Sequence, residues 1–242
     1  MNKEKLLYEY ENSKHALQSD NIIAITNRHL CSRPFMEQLE RVCKLHPHAI
    51  VLREKDMPEA EYLSLARDVI ALCKEYDVQC ILHSFINVAI ELEHPYIHLP
   101  LPILEAYVKK NMSGNISTNM SKSTDNYQQF FKVIGTSVHS VEDAIKAEQL
   151  GATYMTAGHI FATDCKKGLP PRGLDFLKNV CDAVGIPVYA IGGINIASSD
   201  NSTAFDAPSA YDAMPDISVP RLAEVMECGA AGGCIMSGMM RV

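Results

Sequence analysis

Short apolar runs recur along this chain at residues 22–26, 49–52, 79–83, 96–98, 153–156, 187–191 and 233–236, with one more ending at Ile134. Most are followed by a stretch of helical periodicity: residues 34–45, 57–76, 87–93, 102–110, 140–149, 174–184 and 219–228. Brief, continuously apolar strands are what a parallel sheet covered on both faces requires. Eight of them alternating with helices is the count of a (β/α)8 TIM barrel. The competing architecture, an open doubly wound sheet, would show G-x-G-x-x-G after its first strand, and that fingerprint is absent. A length of 242 residues suits one such domain spanning residues 1–242. One part is short: after the eighth strand the chain stops at Val242, too soon for an eighth helix. The N-terminal stretch 1–20 is predicted to supply a substitute, a helix over 3–19 with Leu6, Leu7, Tyr10 and Leu17 near one face. Two polar segments, 111–129 and 196–218, read as insertions.

Composition narrows the partners. The net charge of −7 favours neither nucleic acid nor an acidic membrane surface, so any anion site must be a local patch. No apolar run is long enough to span a bilayer. Residues 1–21 are charged and helical in pattern, unlike a secretory signal. The eight cysteines form no C-x-x-C pair and read as reduced thiols of a cytoplasmic protein.

Loops at the carboxyl ends of barrel strands carry the chemistry in this architecture. The seventh strand ends in Ile191-Gly192-Gly193 and the eighth in Ile235-Met236-Ser237-Gly238. Glycines there let backbone N–H groups approach a phosphate and Ser237 adds a hydroxyl; the alternative is that they only make tight turns. Arg53 and Lys55 follow the second strand in an R-E-K-D run, either as a solvated helix entrance or as a grip on carboxylate or phosphate. The loop after the sixth strand holds Gly158, His159, Thr163, Asp164, Cys165, Lys166, Lys167 and Arg172. An imidazole among cations and hydroxyls suits an anionic ligand and a proton transfer by His159, against a purely structural histidine. Cys165 between Asp164 and Lys166 is a nucleophile candidate. His83, His98 and His139 lie at strand ends without zinc-motif spacing, and no metal site is predicted.

These motifs together resemble the superfamily of thiamine phosphate synthases and TenI-type thiazole tautomerases over about residues 22–238: R-E-K-D, A-I-G-G-I, I-M-S-G, and above all G-H-I-F-A-T-D-C-K-K-G-L-P-P-R-G. The last of these is closer to the tautomerase branch. The resemblance implies a barrel, usually a homodimer, acting on a thiazole phosphate of the thiamine pathway. It gives the synthase N-D-R after the third strand and an aspartate soon after H-L-G-Q of the fourth, as magnesium ligands. This chain has His83-Ser84-Phe85 and His98-Leu99-Pro100-Leu101-Pro102 there, and Leu52 in place of a glutamine. Arg53, Lys55, Ser137, Thr163 and Lys166 match positions that the synthase uses for its ligands. The main expectation is therefore a tautomerase, an isomerase without cofactor. In it His159 moves the proton, Gly192, Gly193, Ser237 and Gly238 hold the phosphate, and Arg53, Lys55 or Lys166 meets the ring carboxylate. The alternatives are a thiamine phosphate synthase, which would bring in magnesium and hydroxymethylpyrimidine diphosphate, and a barrel that binds thiazole phosphate without turnover.

Overall fold

The computed structural model describes residues 21–112, 130–163, 166–198 and 217–242. Two short strands, β8 (Ala197–Ser198) and β9 (Ile217–Ser218), pair antiparallel with each other. The other eight close into a parallel barrel: β1 (Ile22–Ile25), β2 (Ala49–Leu52), β3 (Gln79–His83), β4 (Tyr96–Pro100), β5 (Val133–Val138), β6 (Tyr154–Gly158), β7 (Val188–Ile191) and β10 (Gly232–Ile235). Neighbours in the barrel follow chain order, and β10 completes the ring between β7 and β1. The helices of the connections are α1 (Phe35–Lys44), α2 (Glu59–Glu75), α3 (Ile86–Glu91), α4 (Leu101–Met112), α5 (Val141–Gln149), α6 (Gly173–Ala183) and α7 (Leu222–Glu227). Their starts follow local chemistry. Pro58 stands just before α2, and the Ser140 hydroxyl caps α5 by accepting from the Asp143 amide at 3.0 Å.

Side chains alternate between the two faces of each strand, and in a closed barrel this separates two cores. Ile23, Ile25, Val51, Ile81, Tyr189 and Cys234 fill the interior. Ile22, Ala24, Ile50, Leu52, Ile97 and Leu99 face outward, in one cluster with helix residues such as Leu39, Val69 and Leu177. The same parity carries past the strand ends and decides what lines the barrel mouth.

Several strands run further than their apolar stretch. Pairing continues to Pro100 in β4, to Val138 in β5 and to Gly158 in β6, where hydropathy alone stopped β5 at Gly135. The reason is positional: inward-facing residues near the mouth are polar, glycine or, at the end of β4, proline, so apolarity ends before the backbone ladder does. The second polar segment starts and finishes in the β8–β9 pair, and α4 carries two residues into the first. The helix expected over residues 3–19 lies outside the described residues. Beside α1, the tail after β10 buries Met239, Met240 and Val242, and the Gln38 amide donates to the Met239 carbonyl at 2.7 Å and to the Val242 carbonyl at 3.1 Å.

Tyr62 of α2 fixes the ends of two strands at once. Its buried hydroxyl donates to the Leu52 carbonyl at 2.7 Å and accepts from the His83 amide at 3.1 Å. Replacing Tyr62 with Phe leaves both groups buried without that partner. The expected cost is about 1–3 kcal/mol, read as a lower urea midpoint with an unchanged m-value. A midpoint equal to that of the unsubstituted protein would contradict this account of how β2 and β3 are joined.

Candidate active site

The R-E-K-D run after β2 is sorted by strand parity. Arg53 and Lys55 continue the inward series Ala49 and Val51, while Glu54 continues the outward series Ile50 and Leu52. Glu54, only 2% exposed, accepts from the Thr26 hydroxyl at 2.7 Å, from the Arg28 amide and from Arg28 Nη1 at 3.0 Å. Asp56 takes the rest of that guanidinium, at 2.8 and 2.7 Å, and His29 at 2.8 Å. Arg28, then His29, hold its carboxyl well below the usual carboxylate range. Both acids of the run are thus engaged outside the mouth. Partial burial, then Arg53, then Lys166, lower the Lys55 ammonium from its ordinary value. Lys166 comes from the loop after β6, half-way round the ring from β2, so three cations face one another across the mouth. Among the described residues none of the three is in an ion pair.

Next to them runs a polar row over β3 to β6. His83 and His98 are register partners and stack at 5.4 Å between ring centroids. His98 joins Tyr154 through Nδ1 and Ser137 through Nε2, each at 2.9 Å, and the Thr156 hydroxyl donates to Ser137 at 3.0 Å. Burial, then His98, then Lys55 and Arg53, push the His83 imidazole down to about 2. Burial, then Lys55 and Arg53, push His98 down to about 3. Both rings are neutral near pH 7. The row's anchor, Tyr154, escaped the sequence reading because an apolar-looking tyrosine inside a strand carries no motif.

Where the row ends at β6, the loops after β6 and β7 run together. The Ile160 amide donates to the Ile191 carbonyl at 2.9 Å and the Phe161 amide to the Gly192 carbonyl at 3.0 Å. His159 packs on Gly192, where an added Cβ would lie 2.4 Å from the His159 Cβ, and Gly192 has φ +97°. Close approach and left-handed backbone both require glycine here. Arg221, also unforeseen, donates to the Gly193 carbonyl at 3.0 Å and lies 4.2 Å from the Phe161 ring centroid. Its place just past the second polar segment gave no signal. Thr163 and Lys166 share a turn, with the Lys166 amide donating to the Thr163 carbonyl at 3.0 Å. Ser237 and Gly238 follow β10 beside β7. Arg172 turns away, its guanidinium over Phe176 at 5.2 Å, and His139 Nδ1 is taken by the Gly158 carbonyl at 2.8 Å. Asp164 and Cys165 lie outside the described residues.

Magnesium binds through oxygen ligands. The two positions where the resemblance calls for carboxylates hold the neutral His83 and His98 segments, and no group of three or more His, Cys, Asp or Glu among the described residues suits a metal. With Glu54 and Asp56 engaged by Arg28, the described residues do not fit the ion, and no step is assigned to it.

A profile of the thiamine monophosphate synthase family matches residues 22–239. The chain belongs to this family. It is 33% identical over 178 residues to a putative thiamine-phosphate synthase 2 of Aquifex aeolicus, covering 74% of this chain and 87% of that protein. Against a thiamine-phosphate synthase of Pyrococcus furiosus the identity is 30% over 174 residues, with 72% and 75% covered. The solved thiamine phosphate pyrophosphorylase from Pyrococcus furiosus superposes with a TM-score of 0.65 at 26% identity, covering 94% of this chain and 90% of that one. An N-acetylmannosamine-6-phosphate 2-epimerase from Clostridium perfringens, at 12% identity and TM-score 0.52, shares the fold. These relatives overturn the expectation of a tautomerase, and with it the isomerase: they are named as synthases, which are transferases. The start of the long motif after β6 builds a loop pair with β7, through Ile160, Phe161 and the packing of His159 on Gly192, so its likeness to the tautomerase branch is in part a likeness of fold. Among the described residues no helix is long and apolar enough to cross a membrane.

The neutral histidines make stability depend on pH with a definite sign. Each is depressed from an ordinary value of 6.5, so below that pH the unfolded chain takes up protons that the folded one does not. Stability is full above pH 6.5 and falls on acidification, by about 1.4 kcal/mol per pH unit for each ring. Urea unfolding at pH 7 and pH 5 is expected to differ by about 2–4 kcal/mol, and a His83→Asn, His98→Asn double variant to flatten the difference. The same slope in both proteins would contradict neutral burial of these rings.

Proposed function

We propose that this chain is a transferase of the thiamine-phosphate synthase kind, joining a thiazole phosphate to hydroxymethylpyrimidine diphosphate with release of diphosphate. The observation that carries the reading is the set of three cations, Arg53, Lys55 and Lys166, around one mouth with no carboxylate partner among the described residues. The names of the Aquifex and Pyrococcus relatives support it. In this reaction the thiazole nitrogen donates its lone pair to the pyrimidine methylene carbon as the C–O bond to diphosphate breaks. The electron pair leaves on the diphosphate oxygen. The three cations sit where that growing negative charge needs stabilisation, a role that preorganised charge fills well in a partly desolvated site.

The remaining candidates take supporting parts. Ser137 and Thr163 offer hydroxyls on the diphosphate side. Gly192, Gly193, Ser237 and Gly238, at the ends of neighbouring strands, suit the phosphate of the thiazole. His159, held against Gly192, is assigned to contact with the thiazole; joining the two halves leaves no proton to carry across that ring.

The test offers purified protein both substrates and follows thiamine phosphate and diphosphate together. One diphosphate for each thiamine phosphate is expected. Arg53→Ala and Lys55→Ala should each lower kcat/KM by about 10–100-fold, the usual loss for a hydrogen bond to a charged group. Tight binding of thiazole phosphate with no product from either substrate order would overturn the transferase reading in favour of a binding protein.

A further inference from the structure

The hydrogen bonds of the polar row leave one proton facing the mouth. Tyr154, His98, Ser137 and Thr156 are linked in that order of contact through Nδ1, Nε2 and the Ser137 hydroxyl. A phenol has one proton, and a buried donor left unpaired costs more than the bond returns. Tyr154 is buried, and among the described residues its hydroxyl meets one acceptor, His98 Nδ1. The phenol therefore donates to Nδ1. His98 is neutral in this dry setting, so its single N–H lies on Nε2 and is donated to the Ser137 oxygen. That oxygen also accepts from Thr156, itself buried and without another partner among the described residues. With both lone pairs of Ser137 occupied, its own O–H is left over. Ser137 is the half-buried member of the row, and its free proton has only the open mouth to face.

The geometry that permits the relay is specific. His98, Gly135 and Tyr154 occupy one level of three adjacent strands, with His98 opposite Gly135 and Gly135 opposite Tyr154. A Cβ on Gly135 would stand 2.1 Å from Tyr154 Cζ and 2.4 Å from its hydroxyl oxygen. The missing side chain is what lets the phenol lean across a whole strand to reach the imidazole. Without Gly135 the two rings would be separated by a side chain and the row would end at His98.

We propose that Tyr154, acting through His98, fixes the Ser137 hydroxyl as a donor to an oxyanion of the ligand, making Tyr154 and His98 positioning residues for the anion that Arg53 and Lys55 attract. This deepens the proposed function and rests on its reading of the mouth as a site for phosphate esters. If Tyr154 is removed, His98 is free to turn its proton to Nδ1. Ser137 then donates to Nε2 instead of to the ligand.

Two measurements test it without turnover. Calorimetric titration with inorganic diphosphate should show binding weakened about ten-fold or more by Ser137→Ala and by Tyr154→Phe. The double variant should bind no worse than Ser137→Ala alone, because both changes remove the same hydrogen bond. Losses that multiply, a Tyr154→Phe protein that binds as well as the original, or no diphosphate binding at all would overturn the proposal. Nitrogen-15 NMR of the unsubstituted protein covers the case in which Tyr154→Phe fails to fold: His98 must be the Nε2–H tautomer, and an Nδ1–H tautomer overturns the assignment. A protein with the expected coupling and tautomer that makes no thiamine phosphate would sink the functional reading alone. An active synthase with the wrong tautomer would sink only the relay.

Discussion

Glu54 is a carboxylate with almost no access to water, and a buried charge persists only where partners replace the solvent. Thr26 from the end of β1 and Arg28 from the turn after it supply those partners. The consequence reaches beyond one ion pair. Holding Glu54 on the outer face fixes the phase of the backbone after β2, and strand parity then points Arg53 and Lys55 inward. The Thr26 hydroxyl strengthens that phase by accepting from the Arg53 amide at 2.9 Å. Were Glu54 free to turn in, the mouth would hold a carboxylate between two cations and lose most of its attraction for an anion.

From this follows the division of the site. One side, from β2 to β6, combines cations with a neutral hydrogen-bonded row whose members are neighbours by register. The other, formed by the loops after β7 and β10, is built of glycines pressed against the His159 loop. In the proposed function the first side takes its anion through charged side chains and the Ser137 hydroxyl, the second through backbone. Two phosphate-bearing substrates that meet at a carbon and a nitrogen between them match such a division.

The sequence made the barrel legible because eight apolar runs in alternation with helices leave few other folds. Arg53, Lys55 and the glycine loops were legible too, as residues at strand ends. Three things were not. The ends of β4, β5 and β6 were hidden because polar inward residues near the mouth break the hydropathy pattern while the ladder goes on. Tyr154 and Gly135 were hidden because their meaning lies in cross-strand register, which a single chain does not display. Arg221 was hidden because it reaches Gly193 from 28 residues away. The long motif after β6 does not separate a tautomerase from a synthase, since its first residues fold a loop pair with β7.

A crystal structure of the protein with inorganic diphosphate and thiazole phosphate both bound tests the central claim most directly. The account places diphosphate against Arg53, Lys55, Lys166 and the Ser137 hydroxyl, and the thiazole phosphate group on Gly192, Gly193, Ser237 and Gly238. Both anions competing for the glycine loops, with the cations left facing solvent, would contradict it.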